Sequence, residues 1–188
     1  GSMQCPYYVK HAVEHVMGDA AMIRVKQATT GGGFGGKEDY PEIMGAPLTV
    51  AAWKIGKPLR MIFDRSEDLA WTSKRHPSRT KVRTAHDEKG RILGLDFEVL
   101  LDGGAYESYS LIVLQRAMFT SNGVYNFPNV RVRGRAIATN TVPSGAFRGF
   151  GAPQAIFALE MHMDRVAREL GLEPLTLRKP YFVTTGDP

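Results

Sequence analysis

Gly31-Gly32-Gly33-Phe34-Gly35-Gly36-Lys37-Glu38 places five glycines in six consecutive positions. With no Cβ except at Phe34, the backbone N–H groups can come close to a ligand and the chain can take φ > 0. A polar stretch of helical character follows, and free N–H groups at the positive end of a helix favour an oxyanion such as a phosphate. Two nucleotide-binding patterns fit in part. Gly31, Gly36 and Lys37 have the spacing of G-x-x-x-x-G-K-[ST], but Glu38 replaces the hydroxyl that would hold Mg²⁺ and would repel a triphosphate. Gly31, Gly33 and Gly36 also satisfy G-x-G-x-x-G, a match that so glycine-rich a run makes nearly automatic. The next strand offers no acid until Asp64, later than the offset of about twenty residues that a ribose-binding acid needs.

A second stretch, Ala146-Phe147-Arg148-Gly149-Phe150-Gly151-Ala152-Pro153-Gln154, has the same make-up: small residues, a fixed cation, two aromatics, then Pro153 opening a helix. Arg148 adds its charge to that helix N-terminus and again favours an oxyanion. His11-Ala12-Val13-Glu14-His15 matches the zinc pattern H-x-x-E-H. Amphipathicity alone would put two histidines and a glutamate on a polar helix face, and no later helix offers an evident third ligand. Arg116 stands inside the apolar run Leu111–Phe119, which reads as buried, so its charge must be paired or face a polar pocket. His76, before Pro77, has no base or metal ligand near it in sequence and reads as structural. Arg131, Arg133 and Arg135 share one strand face without interleaved aromatics, which fits a salt-bridged or solvated face better than a nucleic-acid track. Met161 and Met163 are packing residues.

The chain of 188 residues can bury one sizeable core or two small ones. Its net charge of +5 suits an anionic ligand or an acidic neighbour, and the dispersal of its basic residues argues against nucleic acid. Cys5 is the single cysteine, so no internal disulfide and no cysteine quartet for zinc or iron–sulfur can form, which fits a reducing compartment and a cytoplasmic location. No apolar run is long enough to cross a membrane, and no signal-peptide core is expected at the N-terminus.

These residues need elements to position them. Pro6–Met17 predicts a helix with Val9, Val13 and Val16 on one face and Gly18 as its stop. Residues 21–28, where Ile23 and Val25 alternate with Arg24 and Lys26, predict a strand feeding the first glycine loop. Leu48–Ile55 is expected to be helical, its entry delayed by Pro41 and Pro47 and its end set by Gly56. Leu59, Met61 and Phe63 alternate as a second strand, after which Ser66-Glu67-Asp68 caps a short turn. Residues 80–86 and 91–101 form the clearest hairpin through Asp87-Glu88-Lys89-Gly90, with Leu93, Leu95, Phe97, Val99 and Leu101 on one face and Asp96 and Glu98 on the other. A strand follows around residues 130–138. The last helix runs from Pro153 to Gly171 on a stripe of Ile156, Leu159, Met163, Val166 and Leu170. The expected fold is α+β, a mixed or antiparallel sheet with packed helices, in which the two glycine loops meet to form one wall of a pocket.

Together and in this order, the two loops resemble the molybdenum-binding subunit of the xanthine dehydrogenase and aldehyde oxidase family, the molybdenum hydroxylases, and among these xanthine dehydrogenase most. The resemblance runs from Gln4 to Gly186-Asp187-Pro188, and it implies a molybdenum cofactor-binding domain over residues 1–188 that is a fragment of a larger subunit. It implies molybdopterin as cofactor, as such or as its cytosine dinucleotide. The backbone at Gly33, Phe34 and Gly35 would approach that cofactor, and Phe147 and Arg148 would meet the metal site through backbone N–H groups, with no side chain ligating molybdenum. Gln4 matches a glutamine that bonds the apical ligand of the metal, although the residue types alone favour an exposed terminal amide there. Phe150 matches an aromatic that stacks on the substrate.

Purine-oxidising members carry a Glu directly after G-G-G-F-G-G-K and an Arg in an R-A-x-F stretch, here Glu38 and the arginine of Arg116-Ala117-Met118-Phe119. Such a pair would orient a heteroaromatic ring and stabilise the charge it gathers in the transition state. Apart from the resemblance, a structural Glu38–Arg116 ion pair is equally natural. The implied activity is that of an oxidoreductase of purine metabolism hydroxylating purine or a related N-heteroaromatic, with an aldehyde oxidase-like component or a non-catalytic binding domain as alternatives. The family's G-E-P motif, which carries its catalytic glutamate, does not occur in the chain. That motif, the later pterin contacts, the [2Fe–2S] clusters and FAD would belong to the remainder of the subunit and to partner domains or subunits, and the chain alone is expected to have no turnover.

Overall fold

The computed structural model describes residues 1–18 and 22–187. Ala21, where the first expected strand begins, and Pro188 lie outside the described residues. The chain divides into two compact units, one of Gly1–Arg75, Gly103–Tyr109 and Ala138–Arg148, the other of His76–Asp102, Ser110–Ile137 and Gly149–Pro188.

In the first unit, α1 (Pro6–Met17) begins on a proline and stops at Gly18, whose N–H donates to the Glu14 carbonyl. Its buried Val9 and Val13 form a cluster with Met3, closed by Met17, Ile23 and Val25. α2 (Tyr40–Ile55) packs on α1 and starts eight residues before the expected Leu48. Pro41 sits in the first turn, where no intrahelical N–H is needed, and Pro47 is accommodated inside the helix at the loss of one donor. α3 (Arg65–Trp71) is capped by Asp64 rather than by Ser66–Asp68. The Asp64 carboxylate accepts from the Glu67 N–H at 2.8 Å, and the Glu67 carboxylate accepts from the Asp64 N–H at 2.9 Å.

The strands expected at 21–28 and 59–64 do not form among the described residues. Ile23 and Val25 do turn inward, but one-sided burial needs only a core, whereas a strand needs a partner to take its N–H and C=O groups.

In the second unit, β1 (Ser78–His86) pairs antiparallel with β2 (Ile92–Gly104), and β3 (Val130–Ala138) lies on the other edge of β2. Leu95 N donates to Asn129 O, and farther along Thr139 N donates to Gly104 O, so β2 and β3 advance in the same direction. The sheet is therefore mixed, and the parallel connection passes through α4 (Ser110–Phe119). The hairpin turn is closed by Asp87, whose carboxylate accepts from Lys89 N, Arg91 N and Arg91 Nε.

Leu95, Phe97, Val99 and Leu101 are buried as the alternation predicts, but Leu93 is not. Ala85 faces Gly94 and His86 faces Ile92, so Leu93 is the extra residue of a bulge; it turns outward, 46% exposed, and Ile92 takes the core position. On the solvated face, Asp96 bonds Arg83 at 3.0 Å and Arg131 at 2.8 Å, with Arg133 at 3.6 Å. The Arg131 hydrogen bonds, above all, hold the Asp96 carboxyl down at about 2. Arg131 and Arg133 of β3 are thus salt-bridge partners of the neighbouring strand.

α5 (Ala152–Glu169) packs on β1, α4 and α6 (Pro174–Arg178). Leu159, Met163 and Val166 are buried as expected, while Ile156 and Leu170 are exposed and Ala155 and Ala167 fill the contact instead. The apolar run of α4 is likewise divided: Val113, Leu114 and Ala117 are buried, and Leu111, Ile112, Arg116 and Phe119 face outward. An isolated helix on a sheet buries one stripe, not its circumference. No helix among the described residues is long and apolar enough to cross a membrane.

Candidate cofactor-binding site

The first glycine loop lies in the first unit and turns about Phe34. This residue has φ 52°, unusual for a bulky side chain, and its ring is 67% exposed. Gly36 N donates to Gly33 O at 2.9 Å and Glu38 N to Gly35 O at 3.3 Å. Gln4 is the clasp of this loop and not a loose terminal amide. Its N–H donates to Lys37 O at 2.7 Å, and its Oε1 accepts from Gly35 N at 2.7 Å and Lys37 N at 3.4 Å. A Cβ on Gly33 would overlap the Gln4 side chain. Gln4 Nε2 donates to no described residue.

The second loop, up to Arg148, is folded against the first within the same unit. Gly35 has φ 88°, and a Cβ there would stand 2.8 Å from Phe147 N and 2.9 Å from Ala146 C. The Arg148 guanidinium lies 5.0 Å from the Phe34 ring centroid. Behind the two loops runs the segment Ser73-Lys74-Arg75. Lys74 bridges to Ser144, Gly145 N donates to Lys74 O at 2.9 Å, and Arg75 Nη2 donates to Arg148 O at 2.7 Å. Asp39, only 3% exposed, accepts from Ser73 Oγ at 2.7 Å and Ser108 Oγ at 2.9 Å. It directly follows the first loop and ties that loop to residues 73 and 108.

The N–H groups of Gly31, Gly32, Gly33 and Phe34, and of Ala146, Phe147 and Arg148, donate to no described residue. Unused donors from two adjoining loops, together with Arg148, suit an oxygen-rich anionic group. The residues therefore fit a molybdopterin group.

Glu38 lies at the end of the first loop, where burial and then the charge of Asp39 push its carboxyl above the usual glutamate value. Tyr8 and Tyr109 pack beside each other with ring centroids 5.8 Å apart, and burial likewise raises the Tyr109 hydroxyl, with Glu38 and Glu42 contributing. In the second unit, Phe150 has φ 49° ahead of α5, and Arg116 is exposed on α4. Neither Glu38 nor Arg116 forms an ion pair within its own unit among the described residues.

His76 is buried and shares a hydrogen bond of 2.9 Å with Ser110 Oγ, a structural placement. His11 bonds Glu14 at 3.1 Å on the exposed face of α1, and among the described residues no three His, Cys, Asp or Glu side chains converge to hold a metal. Sequence reasoning did not single out Asp39 or Arg75. Neither belongs to a motif, and their partners stand more than thirty residues away in the chain.

Residues 1–182 match the family described as the molybdopterin cofactor-binding domain, and the chain belongs to that family. Its α+β fold is the fold of that domain, and the family is one of oxidoreductases. The xanthine dehydrogenase of Oryza sativa subsp. japonica is 38% identical over 186 residues, covering 98% of this chain and 14% of that protein. The nicotinate dehydrogenase large molybdopterin subunit of Eubacterium barkeri is 38% identical over 178 residues, covering 94% of this chain and 41% of that subunit. Among solved structures, the quinoline 2-oxidoreductase of Pseudomonas putida 86 matches with a TM-score of 0.85 and 32% identity, over 99% of this chain and 24% of the other. The chain thus spans a minor part of the length of each of these relatives, which are parts of or are themselves larger proteins.

Proposed function

We propose that residues 1–188 form one cofactor-binding domain of a larger molybdenum subunit, and that the complete enzyme hydroxylates purine or related N-heteroaromatic substrates. The observation that carries this is the meeting of the two glycine loops at Gly35 and Phe147, with Gln4 clasped into the first and seven backbone N–H groups of the two loops left without an acceptor among the described residues. The relatives named for xanthine, nicotinate and quinoline all point to nitrogen heteroaromatic rings. The remainder of the subunit, the [2Fe–2S] and FAD domains or subunits that carry electrons away, the choice between molybdopterin and its cytosine dinucleotide, and a cytoplasmic location belong to the same proposal.

When bound, the molybdenum-pterin group supplies the two-electron oxidation. The chain's own residues hold and orient. Gly33, Phe34, Phe147 and Arg148 offer the cofactor backbone donors and one fixed cation, Gly35 gives its N–H to Gln4 and brings the two loops together, and the Nε2 of Gln4, which meets no acceptor among the described residues, is a donor for a ligand of the metal. Phe150 stacks on the substrate ring. Glu38 bonds one edge of that ring; its raised pKa lets it keep a proton, and so donate, to higher pH than an ordinary glutamate. The guanidinium of Arg116, without an ion-pair partner among the described residues, stabilises negative charge that builds on the substrate.

In the complete enzyme, Glu38→Gln is expected to lower kcat/KM for N-heteroaromatic substrates about 10- to 100-fold and Arg116→Met about 100- to 1000-fold. Turnover of simple aldehydes should change far less. Equal losses on both substrate classes would remove the heteroaromatic assignment, and aldehyde turnover far above that of any heteroaromatic in the unaltered enzyme would replace it with an aldehyde-oxidising one.

A further inference from the structure

We infer that Arg75 is a positioning residue of the cofactor wall, holding Phe147 and Arg148 of the second loop in place against Gly35. This rests on the proposed function, since it assigns a role at that same site. Three observations on one side chain carry it. The guanidinium stacks 4.6 Å from the Phe147 ring centroid. Its Nη2 donates to the Arg148 carbonyl at 2.7 Å. Its Nη1 is buried and has no hydrogen-bond partner among the described residues.

A planar guanidinium can stack on a ring and donate in its own plane at once; an ammonium group cannot do both. A buried charged nitrogen left without an acceptor is costly, and such a cost persists where neighbouring contacts over-determine the side chain. Those contacts are at hand. The Lys74–Ser144 bridge and the Gly145 N to Lys74 O bond pin the backbone before Arg75, and Ser73 bonds the buried Asp39 that follows the first loop. The segment 73–75 is therefore fixed to both loops, and Arg75 is the member that reaches residues 147 and 148 by its side chain. Without it the Phe147 ring loses its stacking partner and the Arg148 carbonyl its donor, and the unused N–H groups beside them shift together.

The test uses the complete molybdenum subunit assembled with its partners, carrying Arg75→Met or Arg75→Lys. Molybdenum and pterin per subunit are measured after dialysis, together with the electron paramagnetic resonance of the partly reduced metal and the unfolding midpoint of the cofactor-free subunit. Arg75→Met is expected to weaken cofactor retention about 10- to 100-fold and to shift the resonance of the fraction that remains, with the unfolding midpoint unchanged. Arg75→Lys, which can keep the bond to Arg148 but not the stack, should fall between. Cofactor content and resonance equal to those of the unaltered protein in both variants would overturn the role of Arg75, as would a loss that follows a lowered unfolding midpoint in both. Absence of molybdenum from the unaltered assembly would overturn the proposed function, and this inference with it.

Discussion

Gly31 and Gly35 are four positions apart in one loop, and their surroundings predict opposite responses to a single methyl group. At Gly31 a Cβ would meet nothing within 4 Å, and φ is not in the left-handed region. At Gly35 φ is 88°, and the Cβ would stand 2.8 Å from the backbone of Phe147, which cannot rotate away as a side chain could. Gly35→Ala is therefore expected to destabilise the chain by about 1–3 kcal/mol, and Gly31→Ala to stay within about 0.5 kcal/mol, in urea unfolding. Equal effects would mean that the loops do not meet at Gly35. The run of glycines was legible in the sequence as a place of close approach. What approaches was not, because a glycine is silent about its neighbour. Gln4 shows the same limit: as a residue type near a terminus it reads as solvated, and only the folded chain brings the Gly35 N–H to its Oε1.

Among the elements, the β1–β2–β3 sheet puts one carboxylate among three guanidiniums, and this sets a pH dependence. The Asp96 carboxyl is held at about 2, mainly by hydrogen bonds from Arg131, below an unfolded aspartate near 3.9. Its ion-pair contribution is therefore complete above about pH 5 and is lost progressively as pH falls from there through about 2. Asp96→Asn is expected to lower the unfolding midpoint at pH 6 and to lower it progressively less as the pH is taken from about 5 towards 3, and a pH-independent difference would contradict the ion-pair account. The hairpin itself was legible because alternation and the Asp87–Gly90 turn agree. Leu93 was misplaced because periodicity assumes an unbroken ladder, and the bulge opposite His86 inverts the faces beyond it. α2 was clipped at Pro47 for a related reason: a proline lowers helical preference locally, while packing on α1 is a property of the whole helix.

At the scale of the whole molecule, the chain carries donors for a cofactor but no Gly-Glu-Pro motif and no cysteine quartet. The family could be read from the two loops in order, whereas the substrate could not, because the roles proposed for Glu38 and Arg116 appear only around a ring that neither sequence nor fold supplies. Purified alone, the chain is expected to hold less than about a tenth of an equivalent of molybdenum, because a site lined on one side leaves the cofactor solvated on the other and affinity falls with each missing contact. Produced together with the remainder of the subunit and its redox partners, it should hold one molybdenum and reduce an electron acceptor when given an N-heteroaromatic substrate. Stoichiometric molybdenum in the isolated chain would show that this wall suffices for binding. Stoichiometric zinc that is lost in His11→Ala would instead transfer the chemistry to the exposed face of α1, where His11 and Glu14 already share a hydrogen bond. No molybdenum in either form would leave the chain a binding domain that has kept the family's fold without its metal.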